Sequence, residues 1–233
     1  MKTRISLLLA AALLAAASSC TKRPVQPRFG IAATDTLVSR NGIACKIEYR
    51  FASILNAGKS PALTAIEQAN IGYFFDLEAF SGTVREAAAA AIGQFADIYL
   101  ADSLPTGSGN AEYEISAESE GAVVDTLVVY TITQSSYTGG AHGMYSRENY
   151  VYSLDGGYEI TLADLFTEAQ LESLGRLIRR KLYEQYDVRD DEGLVAAGFC
   201  PEYIAPTENF LVTPESIVFC YLSLIHISEP TRR

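Results

Sequence analysis

The chain has 233 residues, 48% of them apolar, with 18 basic and 28 acidic side chains and a net charge of −10. Setting aside the first 20 residues (two basic) and the last 12 (two basic, one acidic) leaves 14 basic against 27 acidic side chains, a body at −13. Such a body repels nucleic acid and anionic lipid, which excludes both as expected partners and permits a cationic protein.

The first 20 residues, MKTRISLLLAAALLAAASSC, have the layout of a secretory signal. Lys2 and Arg4 precede the apolar run Ile5 to Ala17, which is too short for a span of about 20 residues. Ser18 and Ser19 before Cys20 resemble a bacterial lipobox of the relaxed Bacteroidetes type, with Ala17 where leucine is usual. Lipidation of Cys20 and attachment to the membrane through that anchor alone are expected; a plain cleaved signal peptide is the alternative. Residues 21–42, rich in Pro and basic residues at their start, read as a tether.

From Gly42 to Ala52 apolar residues alternate at Ile43, Cys45 and Ile47, with Tyr49 and Phe51 extending a half-buried strand. Ser60 can cap a following helix whose first turn suits Pro61, with Leu63, Ile66, Ile71, Phe74, Phe75 and Leu77 on one face. Ser81-Gly82 ends it, and TVREAAAAAIGQFADIYLAD is a second helix of high propensity. The loop SLPTGSGN carries no lysine in register and is not a phosphate-binding loop.

Two strands rich in Val, Ile, Thr and Tyr follow, expected to join at Glu120-Gly121. A third, GMYSRENYVYSLD, ends at the turn Asp155-Gly156-Gly157. YEITLADLF reads as a short strand or turn entering a helix, and Thr167 is a good N-cap for the helix carrying Leu171, Leu174, Ile178 and Leu182. A charged loop, DVRDDEG, a short helix to Ala197 and two short strands around Thr213-Pro214 complete the body. The order predicts an α+β fold with a largely antiparallel sheet packed with two or three helices. The last residues, LSLIHISEPTRR (222–233), resemble the conceptual translation of a sequencing-library adapter, which would make His226 an artefact and leave the fold without its last strands.

Chemistry would have to centre on His142, within YTGGAHG between two strands. Gly139 and Gly140 permit the positive φ of a sharp turn, and a histidine beside them can pin the hairpin through a backbone carbonyl. Contact with a ligand or a catalytic role are the alternatives. No G-x-S-x-G serine elbow occurs, and one histidine without a spaced Cys/His cluster is too few for zinc. The carboxylates of RDDEG read as ordinary loop charges. No catalytic residue, metal site or cofactor is expected. In an oxidising compartment Cys200 and Cys220 can form a bridge worth roughly 3 kcal/mol; free thiols are the other outcome, and Cys45 has no obvious partner.

The run Tyr137, Gly139, Gly140, Ala141, His142, then Tyr150 and Tyr152, Asp155 with Gly156 and Gly157, and Leu162, Asp164, Leu165 and Phe166 resembles the signature of a bacterial extracytoplasmic domain of unknown function. That domain forms the outer part of RsiV-type anti-sigma factors, which bind lysozyme, and precedes the catalytic domain of some peptidoglycan deacetylases. The resemblance implies a companion domain at residues 43–112 and the RsiV-like domain at 113–221, normally continued by another strand. It further implies a non-catalytic, lipid-anchored module of the cell envelope, facing the periplasm or the cell surface. The expected ligand is a wall glycan or a cationic protein such as lysozyme. The alternative is the N-terminal part of a deacetylase. Anti-sigma signalling needs a preceding cytoplasmic domain and is set aside.

Overall fold

The computed structural model describes residues 23–101, 111–139 and 142–221. Cys20 and the leader, Gly140, Ala141 and the tail 222–233 lie outside the described residues. The elements run β1 (Phe29–Arg40), β2 (Ile43–Ile54), α1 (Pro61–Phe75), α2 (Val84–Tyr99), β3 (Ala111–Val124), β4 (Leu127–Tyr137), β5 (Met144–Ser153), α3 (Leu162–Leu165), α4 (Glu168–Gln185), α5 (Asp191–Ala196), β6 (Phe210–Val212) and β7 (Ile217–Phe219). This is the α+β fold expected from the sequence.

One five-stranded sheet, in the order β1-β2-β3-β4-β5, carries the molecule, and β6 and β7 form a small second sheet. All neighbours pair antiparallel except β2 with β3, which are parallel because α1 and α2 cross between them. The inward face of β2 (Cys45, Ile47, Tyr49, Phe51) meets α1 and α2 in the main core. Tyr49 and Phe51 lie edge-on to Phe74 at ring separations of 5.9 and 5.2 Å. Leu162, Phe210 and Val151 centre a smaller cluster under β6 and β7. Pro61 opens α1 as expected, but Ser60 makes no side-chain cap bond; its carbonyl instead accepts from Thr64 Oγ1 at 3.1 Å. Thr83 with Glu86 and Thr167 with Gln170 form capping boxes that start α2 and α4. The apolar stripe of α4 is only half-buried.

The structure corrects several expectations. Residues 29–40 of the proposed tether are strand β1, turned into β2 through Asn41-Gly42 with both residues at positive φ (53° and 83°). That Asn-Gly pair is a strong hairpin signal. It was masked because the inward residues in the middle of β1 (Ala32, Thr34, Thr36) are small or hydroxylated while Ile31 and Leu37 face outward. The boundary at 112/113 falls inside β3, and one core draws on residues from Ile43 to Leu154, so the two expected domains share a sheet. No join occurs at Glu120-Gly121. β3 runs on to Val124 and turns at Asp125 (φ 55°). Gly121 sits under the ring of Phe29, where an added Cβ would lie 2.2 Å from Phe29 Cε1. YEITLADLF forms a single bridge, Glu159 to Tyr152, rather than a strand, and leads into the short helix α3 as read.

A polar seam fills the place where β2 and β3 part. Their ladder ends at Arg50 and Glu118. Beyond it, Ala52 N–H donates to Ser119 Oγ (2.8 Å) and the Tyr130 hydroxyl donates to Ala52 O (3.0 Å), while Ser119 and Tyr130 share a bond of 2.7 Å. Ile54 N–H donates to Glu67 Oε2 (2.8 Å) and the Ser53 hydroxyl is 2.6 Å from Glu67 Oε1. One turn along α1, Asn70 accepts from the Tyr152 hydroxyl at 2.7 Å. Burial outweighs these two bonds and pushes the Glu67 carboxyl above its ordinary value of 4.5. Burial, then the Glu114 charge, likewise raises the Cys45 thiol to about 11.

The raised carboxyl has a pH signature. In the unfolded chain Glu67 ionises near 4.5, so the stability held by its neutral form is complete below that pH and is lost as pH rises through the folded value. A glutamine can donate to Ser53 and accept from Ile54 without ionising. Glu67→Gln is therefore expected to gain stability relative to the unaltered chain as pH rises above 4.5, read from paired thermal melts. Glu67→Ala leaves the Ile54 amide unpaired and should lose about 1–3 kcal/mol.

Candidate functional site

The sheet and the C-terminal ends of α1 and α2 border a groove of about 290 Å³ beside the β4–β5 turn. Its floor is Ile115, Ala117 and Gln134, and its walls include Phe95, Tyr99 and Met144. The placement follows from local folding. The ring of Phe95 stacks on Tyr99 at 4.9 Å, one helical turn along α2, and Gln134 Nε2 donates to Phe74 O (3.1 Å), holding the end of α1 over β4. Ile98 and Met144 at the mouth are 60% and 75% exposed, so the groove has an uncovered apolar lip. Its serine hydroxyls come from Ser116, Ser135, Ser136 and Ser146, none of which has a histidine partner among the described residues.

A shallower pocket adjoins it across Asp76. Tyr73 stacks on Tyr150 with ring centres 4.2 Å apart and planes 9° from parallel. Tyr73 donates to Glu159 (2.8 Å) and Tyr150 to Glu148 (2.6 Å). Burial first, and then those carboxylates, push both phenols upward, so each stays a protonated donor at neutral pH. Asp76 and Glu78 complete a carboxylate rim with Glu148.

The signature residues fall on three separate features. Tyr137 ends β4, and Gly139 takes the positive φ (87°) that the sequence predicted for this turn. An added Cβ at Gly139 would meet the Tyr113 ring at 3.3 Å. His142 is exposed and makes no hydrogen bond to a described residue, so the expected pinning of the hairpin is not its work. The β4–β5 pairing from Ser136–Met144 onward holds the hairpin instead. Asp155 lies in the exposed turn whose Gly157 (φ 72°) presses on α1, where an added Cβ would sit 2.6 Å from Ala62 Cα. Asp164 accepts from the amide and hydroxyl of Thr161, both at 2.8 Å, capping α3, and Phe166 packs into the smaller core. The groove was missed because its walls are ordinary core periodicity in sequence. Only the outward Ile98, Tyr99 and Met144 signal it.

Cys45, Cys200 and Cys220 are free. The Cys200–Cys220 bridge is not formed; Cys200 leads into a short helical turn and Cys220 is held by its amide to Asn209 O. Among the described residues no group of three His, Cys, Asp or Glu side chains could hold a metal ion, and no helix is long and apolar enough to cross a membrane. The carboxylates of RDDEG, read from the sequence as ordinary loop charges, are instead structural and start α5. Asp190 accepts from Gly193 N–H, and Asp191 pairs with Arg179 and Tyr183 to join α4 to α5.

Two substitutions separate turn geometry from histidine chemistry. Gly157→Ala is expected to cost about 2–3 kcal/mol, because both backbone and Ala62 resist it. His142→Ala should stay within about 0.5 kcal/mol. Chemical denaturation of both variants checks the pair.

Residues 163–223 match the model of a family described as a protein of unknown function (DUF3298). No curated protein matches the chain. The fold is similar to the crystal structure of a DUF3298 family member from Bacteroides fragilis, at a TM-score of 0.72 and 23% identity over 85% of this chain and 84% of that one. It is also similar to a DUF3298 family protein from Pseudomonas aeruginosa, at 0.54 and 16% over 83% and 82% of the two chains. The matched residues hold α3, α4, α5, β6 and β7 but not the groove. The chain therefore carries a DUF3298 domain at residues 163–223, on a fold like that of the two DUF3298 proteins from Bacteroides and Pseudomonas.

Proposed function

We propose that the chain is a non-catalytic, lipid-anchored binding module of the cell envelope, facing the periplasm or the cell surface, and that it takes a cationic protein, of which lysozyme is an example, through the groove beside the β4–β5 turn. The observation that carries the proposal is the groove itself. Its apolar lip of Ile98, Tyr99 and Met144 lies next to the carboxylates of Asp76, Glu78 and Glu148. Apolar anchors bounded by one sign of charge suit a partner that presents a hydrophobic residue among lysines and arginines. The long-range field of the acidic body would steer such a partner inward.

A wall glycan is the second reading, favoured by the stacked Tyr73 and Tyr150, whose flat faces and protonated hydroxyls suit a sugar ring.

Titration calorimetry with hen lysozyme and with soluble wall fragments tests both. Lysozyme binding should weaken as salt rises. Tyr99→Ala should weaken it at least about ten-fold, the loss expected for a buried aromatic anchor. Glycan binding that falls with Tyr150→Phe and ignores Tyr99→Ala would move the site to the second pocket. Binding of neither ligand, with the fold intact, overturns the proposal.

A further inference from the structure

β1 forms one edge of the main sheet and, among the described residues, pairs with β2 alone. The phase of that pairing is set by Leu55 N–H donating to Arg28 O at 2.8 Å, with Arg28 and Leu55 opposed. Even-numbered residues of β1 therefore turn their backbone groups to β2. Phe29, Ile31, Ala33, Asp35, Leu37 and Ser39 turn theirs away from it. The register is unbroken from Phe29 to Arg40, so the edge has no bulge, and it contains neither proline nor lysine. These are the devices by which exposed edges usually block pairing with another chain. Its outward side chains include Ile31 and Leu37, 60% and 68% exposed, and Asp35, whose charge is met by Arg50 at 2.7 Å.

The strand is complementary to itself in one antiparallel register. A two-fold axis through Thr34 sets Ile31 opposite Leu37 of a second copy, twice over, and Ala33 opposite Asp35. Outward-facing residues then meet outward-facing residues, as the hydrogen-bond phase requires. An axis through Asp35 would set like charges face to face, and one through Thr36 would set Leu37 against Asp35. We propose that this chain forms a two-fold homodimer by antiparallel pairing of β1 with β1 of a second copy, joining two sheets into one of ten strands. The proposal is independent of the groove and of what the groove binds.

Sedimentation of the purified chain up to about 100 μM tests it. The unaltered chain should show a monomer–dimer equilibrium. Leu37→Lys removes both apolar cross-strand pairs and should raise the dimer dissociation constant about ten-fold. Ala33→Pro removes a donor that faces away from β2, leaves the β1–β2 ladder intact, and should abolish dimerisation while keeping the native circular dichroism. Should Ala33→Pro fail to fold, Leu37→Lys alone decides. A chain that stays monomeric throughout, or a dimer unmoved by Leu37→Lys, overturns the proposal.

Discussion

The peptide group of Ala52 is where this sheet would come apart. To its N-terminal side, β2 and β3 are zipped by a parallel ladder; from Ala52 onward they diverge, β2 staying with β1 and β3 with β4. A buried amide and carbonyl left open there would each cost about 1–3 kcal/mol. Ser119 and Tyr130 take both, and Glu67 of α1 takes the next inward-facing amide at Ile54. The Phe29 ring covers the side-chain gap over Gly121. Side chains thus complete what the ladder cannot, and α1 is bound to the sheet by hydrogen bonds as well as by its phenylalanines.

That seam explains how the two halves of the chain become one body. The strand–helix–helix unit and the meander meet at β2 and β3, and every polar residue of the seam bonds across that junction or to α1. The groove is a consequence of the same geometry. α2 packs on β1 and β2, α1 ends at Asp76 over β4, and the space between their C-terminal ends is left open to solvent.

Much of the architecture was legible in the residues. Period-two alternation located β2 and β4, intrinsic propensity located α2, and Thr167 with helical spacing located α4. What failed did so for physical reasons. β1 puts Thr34, Thr36 and Ala32 inward and Ile31 and Leu37 outward, the reverse of the usual pattern, because it is an edge with a thin share of the core. Gly121 looked like a turn because a glycine opposite an aromatic ring on a neighbouring strand cannot be told from a turn glycine in one dimension. Domain boundaries drawn at Glu112 could not anticipate a sheet shared across them. At the site, Gly139 and Gly157 were legible as turn chemistry, whereas Asp164 entered only with the family signature and its capping of α3 did not show in the sequence. The groove required knowing which end of α2 overhangs β3, and that is set by packing.

Cys45 sits at the centre of this arrangement, wholly buried on β2 with its thiol raised by burial and by Glu114. A thiol so placed is neither reachable nor ionised at neutral pH, so alkylating reagents can modify it only when the central strands separate. Cys200, on the surface, has no such shield. The molecule therefore holds a natural clock of its own opening, in which the lag between surface and central alkylation measures how seldom the whole sheet lets go.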